Sequence, residues 1–135
     1  MEFDRNQFFR AGVLTALVSV GVVQLIRIVA VAILHPSARF VPLTLFPPTF
    51  DTAIGVAGAV FVFLQIAENA ARPIRTYRKI AAGVLLVSFA PDIAIPMRHV
   101  PGAGWPEAFA LMSMHVAVWA ICVTMLPRLV ASKSS

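Results

Sequence analysis

The chain has 135 residues, of which 59% are hydrophobic and only 13% are charged, and its mean hydropathy is +0.86. Soluble domains carry charge on about a quarter of their residues, so this composition excludes an ordinary soluble domain and favours a protein of the lipid bilayer. A net charge of +5 would suggest nucleic acid for a soluble protein. Here the basic residues cluster at the ends of apolar stretches, where they meet lipid head groups, so we predict no nucleic-acid partner.

Four long apolar stretches follow one another along the chain, at residues 11–34, 52–70, 79–97 and 106–130. Each is close to the length of about 20 residues that a helix needs to cross about 30 Å of hydrocarbon. The first stretch follows the acidic residues Glu2 and Asp4 and is too long for a signal peptide, which favours a retained span. The predicted fold is all-α, with residues 1–135 forming a single four-helix transmembrane bundle.

The basic residues between the spans are distributed unevenly. If the N-terminus is cytoplasmic, the outer side holds two of them, Arg39 and Arg98, and the inner side holds eight: Arg5, Arg10, Arg72, Arg75, Arg78, Lys79, Arg128 and Lys133. Cytoplasmic loops carry the excess of Lys and Arg in membrane proteins. This asymmetry predicts a multi-pass protein of the bacterial inner membrane with both termini in the cytoplasm.

Three connections join the spans. The first, residues 35–51, is rich in proline yet apolar, so we expect it to fold over the bundle. Asp51 or Thr52 then suits the N-cap of the second helix. The second connection is a basic inner turn in which Tyr77 is expected at the membrane interface, and Trp105 is expected at the interface in the last connection.

The second span carries small residues at Gly55, Gly58 and Ala59. Small residues let membrane helices approach closely, so this face predicts close helix contact. Because four helices leave much surface uncovered, we also expect the protein to form a homo-oligomer among its membrane lipids.

Four polar residues from three spans lie at similar depth: Gln24, Arg27, Asp92 and His115. At about 1.5 Å per residue, Arg27 and Asp92 lie roughly 10 Å below the outer surface, His115 lies about 12 Å below it, and Gln24 lies about one turn further in. An isolated charge in the membrane costs about 2.5 to 3.5 kcal/mol. The sequence therefore predicts an ion pair between Arg27 and Asp92.

Two interpretations of these four residues remain open. In one, the ion pair only fixes helix packing, and Gln24 and His115 satisfy leftover hydrogen bonds. In the other, the residues form the floor of an outward-open polar pocket, which Pro91 favours because proline breaks the helix hydrogen bonding beside Asp92. Snorkelling of Arg27 toward the outer surface, without Asp92, is a third arrangement.

Cofactor and metal sites were weighed and are not predicted. Met112, Met114 and His115 offer soft ligands for copper, but Met114 lies on a different helix face from the other two. Haem ligation by two of His35, His99 and His115 requires facing positions that the sequence does not establish.

An enzyme is not predicted either. Ser88 and His115 are a conceivable nucleophile and base, but no oxyanion hole is evident, and serines in membrane helices usually bond their own backbone. The single cysteine, Cys122, allows neither an intrachain disulfide nor a cysteine-built metal site.

Three short motifs resemble those of a known family: His35-Pro36 after the first span, Pro91-Asp92 in the third span, and His115 in "MSMHVAVWA". Together with "LHPSARFVPLTLFP" and "RPIRTYRK", they resemble a family of small, uncharacterised four-helix integral membrane proteins of actinobacteria and related bacteria. The resemblance covers nearly the whole chain and implies the topology without implying a reaction. Small multidrug exporters share four spans, but their glutamate in the first helix has no counterpart, since that helix has Gln24 and Arg27.

The sequence thus predicts a non-enzymatic membrane protein. Its outer-half pocket, bounded by Arg27, Asp92, His115 and the apolar first connection, would bind a small molecule, a lipid or an ion. The alternative is a structural or accessory subunit that assembles with itself or with other membrane proteins, in which case the polar residues only hold the helices together.

Overall fold

A computed structural model of the protein describes residues 4–36 and 40–131. These residues form a short 3₁₀ helix, Val41–Leu43, and four long helices: α1 (Arg5–Leu34), α2 (Phe46–Asn69), α3 (Pro73–Met97) and α4 (Trp105–Ala131). The all-α, four-helix prediction is confirmed. Each helix is long and apolar enough to cross a membrane. Glu2 and two residues of the predicted charge asymmetry, Arg39 and Lys133, lie outside the described residues.

The helices pack as a bundle in which α1 lies along both α2 and α4, and α3 lies along α4. Neighbours α2 and α3 pack together less extensively than the other adjacent pairs. We call the end of the bundle that carries connections 35–45 and 98–104 the outer end, and the end with the short turn 70–72 the inner end. The separation of α2 from α3 creates the site described in the next section.

The helices begin earlier than the apolar stretches predict. The carboxylate of Asp4 caps α1 by accepting a hydrogen bond from the Asn6 backbone N–H at 2.9 Å. Both α2 and α3 have proline in the first turn, where its missing N–H costs nothing. The predicted N-cap at Asp51 or Thr52 is wrong, because α2 already begins at Phe46.

Two histidines end helices at the outer end. His35 follows α1 with a φ of 45°, and its backbone N–H donates to the Val31 carbonyl at 3.1 Å. His99 follows α3 with a φ of 51°. This left-handed conformation commonly closes a helix, and histidine is among the residues enriched in it. Both histidines therefore have a local structural role.

The inner half of the bundle contains the larger apolar core. Phe8, Phe63, Tyr77 and Leu126 from all four helices meet there, and each is at most 3% exposed. The ring centroids of Phe63 and Tyr77 are 4.7 Å apart. Tyr77, which the sequence placed in the inner turn, is instead a buried member of this core, since α3 begins four residues before it.

A second core lies at the outer end. Phe40 and Leu43 from the first connection are buried against Val23 of α1 and Met114 of α4. The expectation that this connection folds over the bundle is confirmed for its described residues. The connection thereby covers the outer end with apolar side chains.

The outer surface of the bundle is strongly apolar. Leu17, Ile33 and Val87 are between 67% and 73% exposed, which suits contact with lipid chains rather than water. The prediction of close helix contact at Gly55 and Gly58 is wrong within the chain, because a Cβ at either position meets nothing within 4 Å. Ala59, in contrast, packs against the inner core.

The closest helix approach at a described glycine occurs at Gly12 of α1. A Cβ at that position would lie 2.9 Å from a methyl group of Val60 on α2. The missing side chain therefore lets α1 and α2 approach each other, and no pattern in the apolar stretch distinguished Gly12 from the other glycines.

Candidate functional site

An open cleft of about 790 Å³ lies between α2 and α3. Side chains of α4 form its floor, and Val41 and Pro42 of the first connection border it at the outer end. Most of its lining is apolar. The polar and small residues that matter for the argument are Asp51 and Gly58 of α2, Tyr77 and Asp92 of α3, and His115 and Trp119 of α4. We call this site the α2–α3 cleft.

The cleft is long and accessible. It follows α3 from Tyr77 to Asp92, a rise of about 22 Å at 1.5 Å per residue, or most of a hydrocarbon layer of about 30 Å. Two residues of its lining, Gly58 and Val84, are exposed, and Val84 is 61% exposed. The volume lies in the range of about 300 to 1,000 Å³ that is typical of small-molecule sites.

Unpaired polar atoms concentrate in this cleft. Among the described residues, four buried side-chain polar atoms lack a hydrogen-bond partner, and three of the four belong to residues of the lining: Tyr77 Oη, Asp92 Oδ2 and Trp119 Nε1. A buried polar atom without a partner costs about 1 to 3 kcal/mol. Native structures contain few such atoms, so their concentration among the residues of one cleft marks this cleft as the candidate site.

Asp92 and His115 form the polar centre of the cleft. Asp92 is 6% exposed, and its Oδ2 lies 3.1 Å from His115 Nε2. This distance is that of an ion pair, but Oδ2 still lacks a properly directed hydrogen bond. The His115 side chain is 41% exposed. The carboxylate therefore has a close neighbour that does not fully satisfy it.

The other two predicted site residues lie apart from this pair. Arg27 Nε donates to Gln24 Oε1 at 2.6 Å, and Gln24 Nε2 donates to Thr49 Oγ1 at 2.7 Å, which ties α1 to the first turn of α2. Neither Arg27 nor Gln24 lines the cleft.

The predicted ion pair between Arg27 and Asp92 is wrong. Equal depth places residues at one level, but the direction in which each helix face points decides which side chains meet. Gln24 is one turn from Arg27 on the same helix and takes its Nε–H, while Asp92 faces His115 on α4.

Two other candidates have structural explanations. Ser88 Oγ donates to the Leu85 carbonyl of its own helix at 2.6 Å, as expected for a membrane serine. Met114 is buried in the outer core. No group of three His, Cys, Asp or Glu side chains able to hold a metal ion occurs in the part of the chain that the structure describes.

The sequence interpretation missed several cleft residues, among them Tyr77, Trp119 and Asp51. The sequence did contain a signal for Trp119, because this residue follows His115 by four positions and therefore shares its helix face. No local signal distinguished Tyr77, whose position depends on the start of α3.

Comparison of the chain with protein-family models, with curated proteins and with solved structures finds no match. The geometry of the cleft is therefore the basis for assigning a function. An apolar trough with a few polar atoms along it can bind an elongated molecule by contact and fix its position by hydrogen bonds.

Proposed function

We propose that this protein binds an amphipathic small molecule or a single lipid in the α2–α3 cleft. In this proposal it is a non-enzymatic, multi-pass protein of the bacterial inner membrane, with both termini in the cytoplasm. The observation that carries the proposal is the concentration of three unpaired polar atoms in one open apolar cleft.

The shape and chemistry of the cleft support an elongated ligand. Apolar side chains extend along its length, whereas Asp92 and His115 lie toward the outer end. A ligand with an apolar body and one polar group matches this distribution, with the polar group beside Asp92. Tyr77 and Trp119 line the cleft farther from its outer end, and each has a buried polar atom without a hydrogen-bond partner.

The exposed side of the cleft suits access from the membrane. Val84, which lines the cleft, is 61% exposed, and the surrounding surface of α3 is apolar. A molecule dissolved in the bilayer reaches such an opening without crossing water. The orientation and the membrane are inferred from the excess of basic residues at the inner end, and the family resemblance agrees with this topology.

A helix of a second copy is the competing occupant, because small residues such as Gly55 and Gly58 permit close helix packing. This arrangement corresponds to the structural or accessory role. The unpaired atoms of Tyr77, Asp92 and Trp119 favour a ligand instead, since an apolar helix face offers them no hydrogen bonds.

Filling the cleft tests the proposal. Gly58→Leu adds a side chain at a lining position where a Cβ meets nothing within 4 Å, so it narrows the cleft. Gly21→Leu is the matched control, because Gly21 is also exposed and unobstructed but lies outside the cleft. Native mass spectrometry of the gently purified protein measures the molecules that each form retains.

We expect the wild type and Gly21→Leu to retain a small molecule or lipid that Gly58→Leu loses. The binding affinity of Gly58→Leu should fall about tenfold or more, which corresponds to about 1.4 kcal/mol. Equal retention by all three forms would refute ligand binding in the cleft. A dimer without bound molecules that Gly58→Leu converts to monomer would assign the cleft to a second copy.

A further inference from the structure

The α2–α3 cleft is lined by more acidic than basic groups. Its described lining contains two carboxylates, Asp51 and Asp92, and one imidazole, His115, but neither lysine nor arginine. The chain as a whole carries a net charge of +5. The described lining of the cleft thus lacks the excess of lysine and arginine that the chain carries as a whole.

The two carboxylates lie at the same level on facing helices. Asp51 is five residues after the start of α2, and Asp92 is five residues before the end of α3. At 1.5 Å per residue, each is about 7.5 Å from the outer end of its helix. Both residues line the cleft, so a charged group bound at this level lies between two helices that each carry a carboxylate.

Asp92 is only partly satisfied by its neighbour His115. Its Oδ2 is buried, and the contact with His115 lacks hydrogen-bond direction. An ionised group in a membrane is stabilised mainly by pairing with an opposite charge. A cation that spreads its charge over a large apolar surface needs no directed N–H bond to provide this pairing.

Trp119 adds a second group that attracts cations. It lies one helical turn from His115 on the same face of α4, and it also lines the cleft. Indole is the best aromatic partner for a cation, especially where water is excluded. Anionic lipids have no comparable partner in the cleft, because Arg27 lies outside its lining and bonds Gln24 through Nε.

We infer that the cleft selects lipophilic cations, meaning apolar molecules with a single positive charge, over anions of the same size and shape. This inference rests on the proposed function and names its ligand class. The positive group binds at the outer end of the cleft, beside Asp51 and Asp92, and the apolar body extends along α3 toward Tyr77.

The test compares two ions of nearly equal size and opposite charge, tetraphenylphosphonium and tetraphenylborate. Their saturable binding to the full-length protein is measured by equilibrium dialysis in nanodiscs of zwitterionic lipid. Empty nanodiscs serve as the reference, because the dipole potential of the bilayer itself affects the two ions differently.

We expect saturable binding of tetraphenylphosphonium and none of tetraphenylborate. Asp92→Asn should weaken binding of the cation about tenfold. Asp51→Asn provides a second variant at an exposed position, where folding is not at risk, and it should weaken binding in the same direction. Gly21→Leu should bind as the wild type does.

Three outcomes would overturn the inference. Equal saturable binding of both ions, abolished by Gly58→Leu, would refute selection of cations and leave the proposed ligand cleft intact. A different result would refute both the inference and the proposed function. In that result, neither ion binds saturably to the wild type or to Gly58→Leu, and no molecule is retained on purification. Unchanged cation affinity in both aspartate variants would also refute the inference.

Discussion

The hydrogen bond between Gln24 and Thr49 provides a quantitative test of how α1 is joined to α2. Gln24 Nε2 donates to Thr49 Oγ1 at 2.7 Å, and Gln24 Oε1 accepts from Arg27 at 2.6 Å. Replacing Gln24 by Leu removes both bonds, together with a longer bond of 3.3 Å from Gln24 Nε2 to the Leu45 carbonyl, with little change in volume. Replacing Thr49 by Val removes the acceptor and keeps the shape.

The expected energies follow from the geometry. Hydrogen bonds between membrane helices contribute about 0.6 kcal/mol on average and about 1.7 kcal/mol at most. The short distance between Gln24 and Thr49 favours the upper half of that range, about 1 kcal/mol. Gln24→Leu should cost about 1 to 2 kcal/mol in total, since Arg27 is only partly buried and can reach toward polar surroundings.

A double-mutant cycle isolates the bond of interest. The free energies of unfolding of the wild type, both single variants and the double variant are measured by circular dichroism in mixed micelles of dodecyl maltoside and dodecyl sulfate. Gln24→Leu removes the contact with Arg27 whether or not Thr49 is present. The energy of that contact therefore cancels from the coupling energy between Gln24 and Thr49. A coupling energy below about 0.2 kcal/mol would show that the bond does not join the helices.

Three further predictions concern packing and hydrogen bonding. Gly12→Ala should lower the unfolding free energy by about 1 kcal/mol, because its Cβ would lie 2.9 Å from Val60. Gly21→Ala should cause no such loss, and equal effects of the two substitutions would refute close packing at Gly12. Gln7→Leu removes side-chain bonds of 2.6 and 3.3 Å to two carbonyls near the end of α4, so hydrogen exchange should quicken there and stay unchanged elsewhere. Tyr77→Phe removes a hydroxyl without a hydrogen-bond partner, so ligand-free protein should keep its melting temperature. A loss of unfolding free energy above about 1 kcal/mol would show that the hydroxyl has a partner.

The number and the approximate position of the helices could be predicted from the sequence, because long apolar stretches have few alternatives in a bilayer. The residues at which the helices begin could not be predicted. Helix α2 begins at Phe46 and α3 begins at Pro73, each six residues before its apolar stretch. Proline in a first turn is compatible with both a helix and a loop. Only packing against neighbouring helices decides between them.

The candidate site was predicted in part. Depth along the helices brought Asp92 and His115 to one level, and the structure places them 3.1 Å apart. Depth alone did not exclude Arg27 from the predicted site. The direction in which a helix face points is set by packing and cannot be read from the distance along the sequence. The cleft itself depends on the separation of α2 from α3, which no local pattern encodes.

The sideways opening of the cleft determines how the affinity of the proposed ligand must be expressed. A ligand that arrives through the hydrocarbon is drawn from the bilayer phase, so the relevant quantity is its mole fraction among the lipids. Adding empty vesicles should then dilute the ligand and reduce occupancy while the total amount in the sample stays constant. Compounds that partition strongly into lipid would seem to bind tightly when their affinity is calculated from the concentration in water, even where their contacts with α2 and α3 are weak.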